Sequence, residues 1–274
     1  MEGASALLLR CPLCRQRLHA DARLATCGAG HSFDRAREGY LNLLPVQRKN
    51  SLEPGDAAAM VGARADFLEA GYYTPLRDAL VGQLAGLAPE QLLDCGCGEG
   101  WYTVAMSRSA HATTALDISR SAIKRAARRD RAITWLVASS VDLPLFDASV
   151  DVVTAIFSPL AVAEAARVLK PGGSLVIVAP DQHHLQELRA ALYPKVRPHE
   201  PDKWLAALAP AFVLHNDARV QFRIDLPDNS ALRSLLLMTP YYWRAPRGRR
   251  EAVEALPGIS TRVDCRLMRF VRTR

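Results

Sequence analysis

Four residues near the start of the chain have the types and spacing of metal ligands: Cys11, Cys14, Cys27 and His31, in the arrangement C-x2-C-x12-C-x3-H. Thiolate and imidazole groups suit a tetrahedral Zn²⁺ ion, and four protein ligands close its coordination shell. The spacing therefore predicts a structural zinc site that stabilises a module too small to fold alone. His19 lies between the pairs and is an alternative ligand, although we favour His31.

A glycine-rich stretch, LLDCGCGEGWYT at residues 92–103, is the second place where chemistry is expected. Its cysteines are separated by one residue, which is too few for a zinc knuckle. Trp101 stands where a phosphate-binding P-loop needs lysine and where a dinucleotide-binding loop needs its third glycine. What remains is a nucleotide-type loop, whose glycines let the backbone turn tightly and approach a ligand closely. These glycines are Gly96, Gly98 and Gly100.

The segments around this loop alternate between strand-like and helical patterns. Strand-like apolar runs lie at 91–95, 113–116, 133–137, 150–156 and 174–179, and helical patterns lie between them at 102–109, 120–128 and 160–169. Such alternation predicts βαβ units, a mostly parallel sheet and an α/β, Rossmann-like fold. Further along we expect helices at 183–193 and 229–238 and strands at 212–224 and 263–271.

Two carboxylates complete a cofactor signature. Asp94 precedes the glycines, and Asp117 ends the next predicted strand 23 residues later, where nucleotide-binding folds place the residue that contacts ribose hydroxyls. This order resembles class I S-adenosylmethionine-dependent methyltransferases, as do ASSVDLPLFDASVDVV and ARVLKPGGSLVI further on. Asp94 is expected to order the loop or to bind the amino group of the cofactor. The residues assigned to the cofactor on this basis are Asp94, Gly96, Gly98, Glu99, Gly100, Trp101, Asp117 and Ser139.

The chain has 274 residues, a net charge of +7 and a pI of about 9.3, which fits one large domain or a domain with a small module. The charge indicates either an arginine-rich surface or a polyanionic partner such as nucleic acid, and basic residues cluster at 124–131 and 244–250. No apolar run approaches the ~18 residues of a membrane span, and the first residues lack the basic start of a signal peptide. We therefore expect a cytoplasmic protein with no membrane partner and with reduced cysteines, of which Cys265 belongs to the core.

Longer segments resemble one family over nearly the whole chain. HSFDRAREGYLNLLPVQRKNSLEPGD, LEAGYYTPLRD and LLLMTPYYWRA, in order with the motifs above, are similar to the bacterial 23S rRNA (guanine-N1)-methyltransferases. The resemblance implies methyl transfer from S-adenosylmethionine to N1 of a guanine in the 23S rRNA hairpin called helix 35. It also implies zinc at the four ligands above, and cofactor contacts from Tyr73, from the 98–101 loop and from His184. Some members modify a neighbouring guanine and protect the ribosome from macrolides, and many pair, so a homodimer stays open.

Two segments depart from the family pattern. After the strand at 150–156 the chain reads Phe157-Ser158-Pro159-Leu160, without the cysteine that often ends this run. A covalent cysteine mechanism is therefore not expected. Asp181 and Gln182 stand where a glycine-proline pair is more usual, close to His184.

The reaction implied by the resemblance needs a pocket for the target base. Guanine N1 carries a proton that must be removed, and the base must leave its stack and rest on an aromatic platform. We expect Phe157, Ser158 and Pro159 to line this pocket, because class I enzymes place the target after the fourth strand. Trp243 and Arg244 are further candidates for stacking and phosphate binding, with a buried aromatic cluster as the equal alternative. The sequence assigns no general base.

The predicted organisation has three parts: a zinc-binding RNA-recognition module at 1–45, a linker and helical lid segment at 46–90, and a methyltransferase domain at 91–274. A methyltransferase of a small-molecule acceptor would share the cofactor loop, but it would not account for the zinc module or the positive charge. A non-catalytic RNA-binding factor would not need the intact glycine loop. Methylation of rRNA is therefore the leading hypothesis.

Overall fold

The structure, a computed structural model, describes residues 9–48, 54–199 and 205–273. A small antiparallel sheet comes first, with its three strands adjacent in chain order. The strands are β1 (Leu18–Ala20), β2 (Leu24–Cys27) and β3 (Ser32–Asp34).

An eight-stranded sheet forms the centre of the described chain. Its strands are β4 (Leu41–Asn42), β5 (Gln91–Cys95), β6 (Ala112–Asp117), β7 (Thr134–Val137), β8 (Val150–Ile156), β9 (Leu169–Pro180), β10 (Phe212–Leu226) and β11 (Ile259–Arg272). Their order across the sheet is β4-β7-β6-β5-β8-β9-β11-β10. The strands from β4 to β9 pair in parallel, while β11 and β10 are antiparallel. The predicted mostly parallel sheet is confirmed.

Helices flank this sheet. They are α1 (Ala58–Glu69), α2 (Thr74–Ala85), α3 (Trp101–Ser107), α4 (Arg120–Ala126), α5 (Val162–Val168), α6 (Gln186–Leu192), α7 (Leu205–Leu208), α8 (Asn229–Met238), α9 (Pro240–Arg244) and α10 (Arg247–Glu254), with a 3-10 turn at Val46–Arg48. The side chains of Ser119 and Asp228 cap α4 and α8 by accepting backbone N–H bonds. Among the helices that the structure describes, none combines the length and apolar composition that a membrane crossing requires.

The predicted elements agree closely with the observed ones at the centre of the sheet. β5 and β8 have the predicted bounds, since both are mostly apolar runs within the parallel part of the sheet. β11 begins earlier than the predicted residue 263, at Ile259. The reason is its long antiparallel pairing with β10, in which Ile259 lies opposite Leu226.

The zinc-binding module is continuous with the main sheet. β4 pairs in parallel with β7, through Leu41 opposite Leu136, and Leu9 bridges Leu145. One buried core contains Cys11 of the module together with Leu136 and Leu145 of the larger part. The module is therefore packed against the α/β part, while the domain boundaries at residues 45 and 90 stay predictions.

Candidate active site and zinc site

The four predicted metal ligands come together in the small sheet. Their ligand atoms all lie within 4.8 Å of one another. Cys14 Sγ is 3.5 Å from Cys27 Sγ, and Nδ1 of His31 is 3.4 Å from Cys27 Sγ and 3.6 Å from Cys11 Sγ. Such separations suit ligands around a tetrahedral Zn²⁺ ion with bonds of about 2.0–2.3 Å. His19 lies exposed on β1 outside this cluster, so His31 is the histidine that fits the metal.

The local backbone favours the thiolate form of Cys27. Burial opposes ionisation of Cys27, but hydrogen bonds from the Cys14 thiol and from the backbone N–H groups of His31 and Ala29 lower its pKa to about 6. Gly30, with φ of +82°, donates its N–H to the Cys27 carbonyl and closes the turn between the two ligands of this half. A thiolate is the form that binds zinc, so the turn favours metal binding.

The glycine loop joins the end of β5 to the start of α3. The N–H groups of Gly96 and Cys97 both donate to the carbonyl of Leu116, at 2.8 and 3.0 Å, which fixes the loop on β6. Gly96 and Gly98 have φ of +75° and +57°, in the left-handed region that glycine tolerates best.

Two of these glycines are also required by packing. A Cβ on Gly96 would overlap Oγ of Ser158 and lie 2.6 Å from its Cβ. A Cβ on Gly100 would lie 2.7 Å from the ring of Trp135. The first contact places the cofactor loop directly against a residue predicted to line the target-base pocket.

Asp94 is buried beneath the loop. Thr103 of α3 and Thr154 of β8 donate their hydroxyls to its two carboxylate oxygens, at 2.6 and 2.7 Å. Burial raises the Asp94 pKa to about 6, although the threonine bonds lower it. These contacts join Asp94 to α3 and β8, while its role in ordering the loop or binding the amino group of the cofactor stays a prediction.

Asp117 ends β6 beside the loop. Its carboxylate accepts the N–H of Gly98 at 3.0 Å and that of Ser119 at 2.8 Å. Burial raises its pKa. Ser139 lies just beyond the end of the adjacent β7, next to Ala138, whose N–H donates to the Asp117 carbonyl at 3.1 Å.

The residues around the loop fit a polar ligand such as S-adenosylmethionine. Glu99 is 2% exposed, and its Oε1 atom has no hydrogen-bond partner within the described residues, with Arg129 at 3.7 Å. The buried hydroxyl of Tyr102 is likewise without a partner in the described chain. Buried polar atoms are ordinarily satisfied, so an acceptor and a donor left over here match a ligand with hydroxyl, amino and carboxylate groups. Trp101 follows the loop, half-buried, with the Arg77 guanidinium 4.9 Å above its ring.

An aromatic group lies at the carboxyl end of β8 and β9. The ring centroid of Phe157 is 5.9 Å from His184 and 6.4 Å from Tyr73. Phe157 is 39% exposed and has φ of +53°, which is unusual for a bulky residue and is associated with functional sites. Tyr73 and His184 are buried behind it. Three predicted site residues from three separate segments are thus brought together.

The other predicted pocket residues are divided between this cluster and the surface. Ser158 touches the glycine loop and Pro159 is exposed beside it. Trp243 is 52% exposed, and its indole N–H donates to the Leu237 carbonyl. Arg244, next in α9, is exposed. The Trp243 ring packs edge-on against Tyr242, with 5.2 Å between the ring centroids.

Sequence reasoning missed two residues of the site, His199 and Arg64. Tyr241 donates to or accepts from Nε2 of His199 at 2.8 Å, and the His199 ring is 6.4 Å from His184. Arg64 of α1 lies near Gly98 and would be 3.5 Å from a Cβ placed there. Tyr241 belongs to the LLLMTPYYWRA segment and was a stacking candidate beside Trp243, whereas no motif indicated His199 or Arg64.

Comparison with known families identifies both parts of the chain. Residues 9–52 match the zinc ribbon family described as "RlmA, N-terminal", and residues 93–177 match the family described as "Methyltransferase domain". Two solved structures share the fold of the larger part. YcgJ from Bacillus subtilis has a TM-score of 0.54 at 18% identity, with 72% of this chain and 99% of that chain covered. A protein of echinomycin biosynthesis has a TM-score of 0.52 at 21% identity, with 73% and 82% covered.

Similar proteins extend over nearly the whole chain. The 23S rRNA (guanine(748)-N(1))-methyltransferase of Streptomyces fradiae is 36% identical, with 92% of this chain and 91% of that protein covered. A Micromonospora griseorubida protein, provisionally named a 23S rRNA (guanine-N1)-methyltransferase, is 35% identical with 88% of both covered. YxjB of Bacillus subtilis, with the same provisional name, is 32% identical with 94% of both covered.

The parallel sheet, the glycine loop and the two carboxylates define a class I S-adenosylmethionine-dependent methyltransferase that carries a structural zinc ribbon. Its similarity to the Streptomyces, Micromonospora and Bacillus proteins includes the ribbon as well as the cofactor loop. The chain belongs to the 23S rRNA (guanine-N1)-methyltransferase family.

Proposed function

We propose that this protein transfers a methyl group from S-adenosylmethionine to N1 of a guanine in the helix 35 hairpin of 23S rRNA, in the cytoplasm. The observation that carries the proposal is the 36% identity to the Streptomyces fradiae enzyme over 92% of the chain, zinc ribbon included. That relative is named for guanine 748, and we take the corresponding nucleotide as the first candidate target.

The methyl donor would be held by the loop between β5 and α3. S-adenosylmethionine supplies a methyl group already activated by its sulfonium. The buried acceptor on Glu99 and the carboxylate of Asp117 suit its hydroxyl and amino groups, while Tyr102 offers an O–H donor. Asp94 shapes this site from below through Thr103 and Thr154 rather than from the ligand side.

The target guanine would rest on Phe157. An rRNA base that undergoes chemistry must leave its stack, and an exposed aromatic face compensates the lost stacking. Phe157 provides such a face, and its neighbour Ser158 touches the glycine loop at Gly96. A base on this ring would lie close to the methyl donor, and alignment of donor and acceptor is the main source of rate in such a transfer.

The histidines near Phe157 are weak bases. Burial lowers the pKa of His184 to about 3 and that of His199 to about 4. A group with so low a pKa holds a proton poorly, so we propose that neither histidine takes the N1 proton into a lasting imidazolium.

The ribbon and the α9–α10 segment would contact the RNA around the target. Basic side chains of α4 and of the turn after it are already paired with acidic ones, for example Lys124 and Arg128 with Glu38. Trp243 and Arg244 remain exposed on α9 and are proposed to stack on a neighbouring base and to bind a phosphate. A homodimer that clamps the hairpin is a further proposal, and light scattering at several concentrations would test it.

The test is methyl transfer from labelled S-adenosylmethionine to 23S rRNA from a strain in which the gene is deleted. Because N1-methylguanine blocks base pairing, primer extension should stop in helix 35 and would distinguish the neighbouring guanines. If rRNA stays unlabelled while the protein binds the methyl donor, the proposal fails and a small-molecule acceptor becomes the better hypothesis.

A paired variant tests the pocket. Phe157→Ala should reduce transfer by about 10- to 100-fold, because base–aromatic stacking contributes about 1–3 kcal/mol. Val213→Ala, which truncates another exposed apolar residue on β10, serves as the control and should leave transfer unchanged.

A further inference from the structure

The ring of His184 is held by a strand distant in sequence. His184 lies in the turn after β9, and Asp264 of β11 donates its backbone N–H to His184 Nδ1 at 3.3 Å. The thiol of Cys265 lies 3.4 Å from the same nitrogen. Burial raises the Cys265 pKa well above its usual range, so the thiol keeps its proton. A backbone N–H can only donate, so Nδ1 is the accepting, unprotonated nitrogen.

The other ring nitrogen then carries the proton. Nε2 of His184 lies 3.5 Å from the hydroxyl oxygen of Tyr73. In a neutral imidazole whose Nδ1 accepts, Nε2–H donates and the Tyr73 oxygen receives it. Burial raises the Tyr73 pKa well above its usual range, so this hydroxyl also keeps its proton. Because His184 is the hydrogen-bond partner of Tyr73 within the described chain, the Tyr73 proton is free for a ligand.

The buried carboxylate of Asp264 holds the turn that carries His184. Asp264, which is fully buried, accepts the N–H of His183 at 3.1 Å and pairs with Arg219 through two bonds of 2.8 Å. The Asp264 carbonyl accepts the N–H of Asp181 at 2.8 Å, and Arg219 lies 3.1 Å from the Asp181 carboxylate. Asp181 stands where the resemblance implies the first residue of a glycine-proline pair. Arg219 pairs with both Asp181 and Asp264, and so links Asp181 to β11.

We propose that Asp264 and Arg219 are positioning residues for the methyl donor. They hold the 181–185 turn so that His184 is a fixed neutral Nε2–H donor and Tyr73 presents its hydroxyl proton to an acceptor group of S-adenosylmethionine. The carboxylate of that molecule is its anionic group, and a charged acceptor makes the strongest bond to such a donor. This inference rests on the proposed function for the identity of the ligand.

One consequence concerns the proton on guanine N1. His184 does not receive it, because Nδ1 already accepts the Asp264 N–H and Nε2 is already protonated. Burial lowers the His184 pKa to about 3, in agreement with a permanently neutral ring. The titratable groups around the ring are Tyr73, Arg189, His199, Asp264 and Cys265.

The antiparallel pairing of β10 with β11 supplies a matched control. Arg219 and Arg266 lie opposite each other on the two strands. Each pairs with an aspartate of the other strand, Arg219 with Asp264 and Arg266 with Asp217. Asp264 of the first pair contacts the turn that holds His184, whereas Asp217 of the second pair is exposed.

Binding of the methyl donor tests the positioning role. Arg219→Gln should weaken calorimetric binding of S-adenosylmethionine to the full chain by about tenfold, since it removes a bidentate bond to a charged group. Arg219→Lys should restore part of the loss, because it keeps the charge without the planar fork. Arg266→Gln should leave the affinity within about twofold of wild type. Equal losses in the Arg219→Gln and Arg266→Gln variants, or no loss in either, would overturn the role assigned to Arg219.

Nuclear magnetic resonance of ¹⁵N-histidine-labelled protein tests the tautomer directly. The His184 signal, identified by its absence from the His184→Gln variant, should show Nε2–H and an accepting Nδ1 between about pH 5 and 8. In the Arg219→Gln variant the two tautomers should mix. An Nδ1–H form, or titration near the ordinary pKa of about 6.5, would refute the inference. Neither experiment contains rRNA, so the result is independent of whether rRNA is the methyl acceptor.

Discussion

The contact between Gly96 and Ser158 makes a graded prediction about the glycine loop. In Gly96→Ala the new Cβ would overlap Ser158 Oγ and lie 2.6 Å from Ser158 Cβ, while Ser158 Cα would be 3.9 Å away. The substitution also puts alanine at φ of +75°. We expect about 1–2 kcal/mol from the backbone conformation and about 1–3 kcal/mol from the overlap.

Substitutions of Ser158 should reduce the free-energy cost of the overlap in two steps. Ser158→Ala removes the overlapping Oγ but keeps the Cβ at 2.6 Å from the new methyl group, so the rescue of Gly96→Ala should be partial. Ser158→Gly removes both atoms. The stability that Gly96→Ala still loses in this background should be close to the cost of the backbone conformation alone. The double-mutant cycle of Gly96→Ala and Ser158→Gly should therefore give a coupling free energy of about 1–3 kcal/mol. The double variant should be more stable than the sum of the two single effects predicts. Urea unfolding measures each free energy, and binding of S-adenosylmethionine should follow the same order.

Gly98 offers the matched control for this cycle. Its φ is +57°, yet a Cβ there would meet nothing closer than 3.5 Å, at Arg64. Gly98→Ala should lower the free energy of unfolding only by the cost of the backbone conformation. Its effect and that of Ser158→Gly should be additive. If Gly96→Ala and Ser158→Gly are also additive within about 0.5 kcal/mol, the loop does not pack on Ser158 as described.

Three further predictions concern the zinc site and two buried ionisable groups. Cys27→Ser, or a strong chelator, should remove the bound zinc and lower the melting temperature by roughly 10 °C or more, because metal binding is coupled to folding of the ribbon; His19→Asn, checked by metal analysis, should keep one zinc per chain. Thr154→Val removes a hydroxyl that donates to Asp94 at 2.7 Å, so the Asp94 pKa should rise above its value of about 6. The variant should lose about 1–3 kcal/mol in urea unfolding near pH 8 and less near pH 5, where the carboxyl is already protonated; a loss independent of pH would contradict this. Because the folded His184 pKa is about 3, the unfolded chain binds this proton first as the pH falls, so stability present above about pH 6.5 is lost towards pH 3. Between about pH 8 and 5 the loss attributed to this ring is about 2 kcal/mol, and it should be absent from the pH profile of His184→Gln.

Much of the fold could be predicted because the signals are local. The runs at 91–95 and 150–156 are mostly apolar, as is typical of strands buried in a parallel sheet, and the structure confirms both. The start of β11 at Ile259 could not be predicted in this way, because residues 259–262 are ordered by pairing with β10 rather than by their own pattern. The same holds for β4, whose two residues join the large sheet through β7.

The sequence by itself determined the zinc ligands and the glycine loop, since both depend on short spacings that the chain imposes on itself. Cys27 and His31 are four positions apart, and one tight turn brings their ligand atoms within 3.4 Å. Only the tertiary structure decided how the distant groups act on one another. Asp94 meets Thr154 across 60 residues, and Asp264 reaches His184 across 80, because strand register, not sequence distance, sets which side chains touch. That register makes His184 an Nε2–H donor, a property that no local pattern in the chain could reveal.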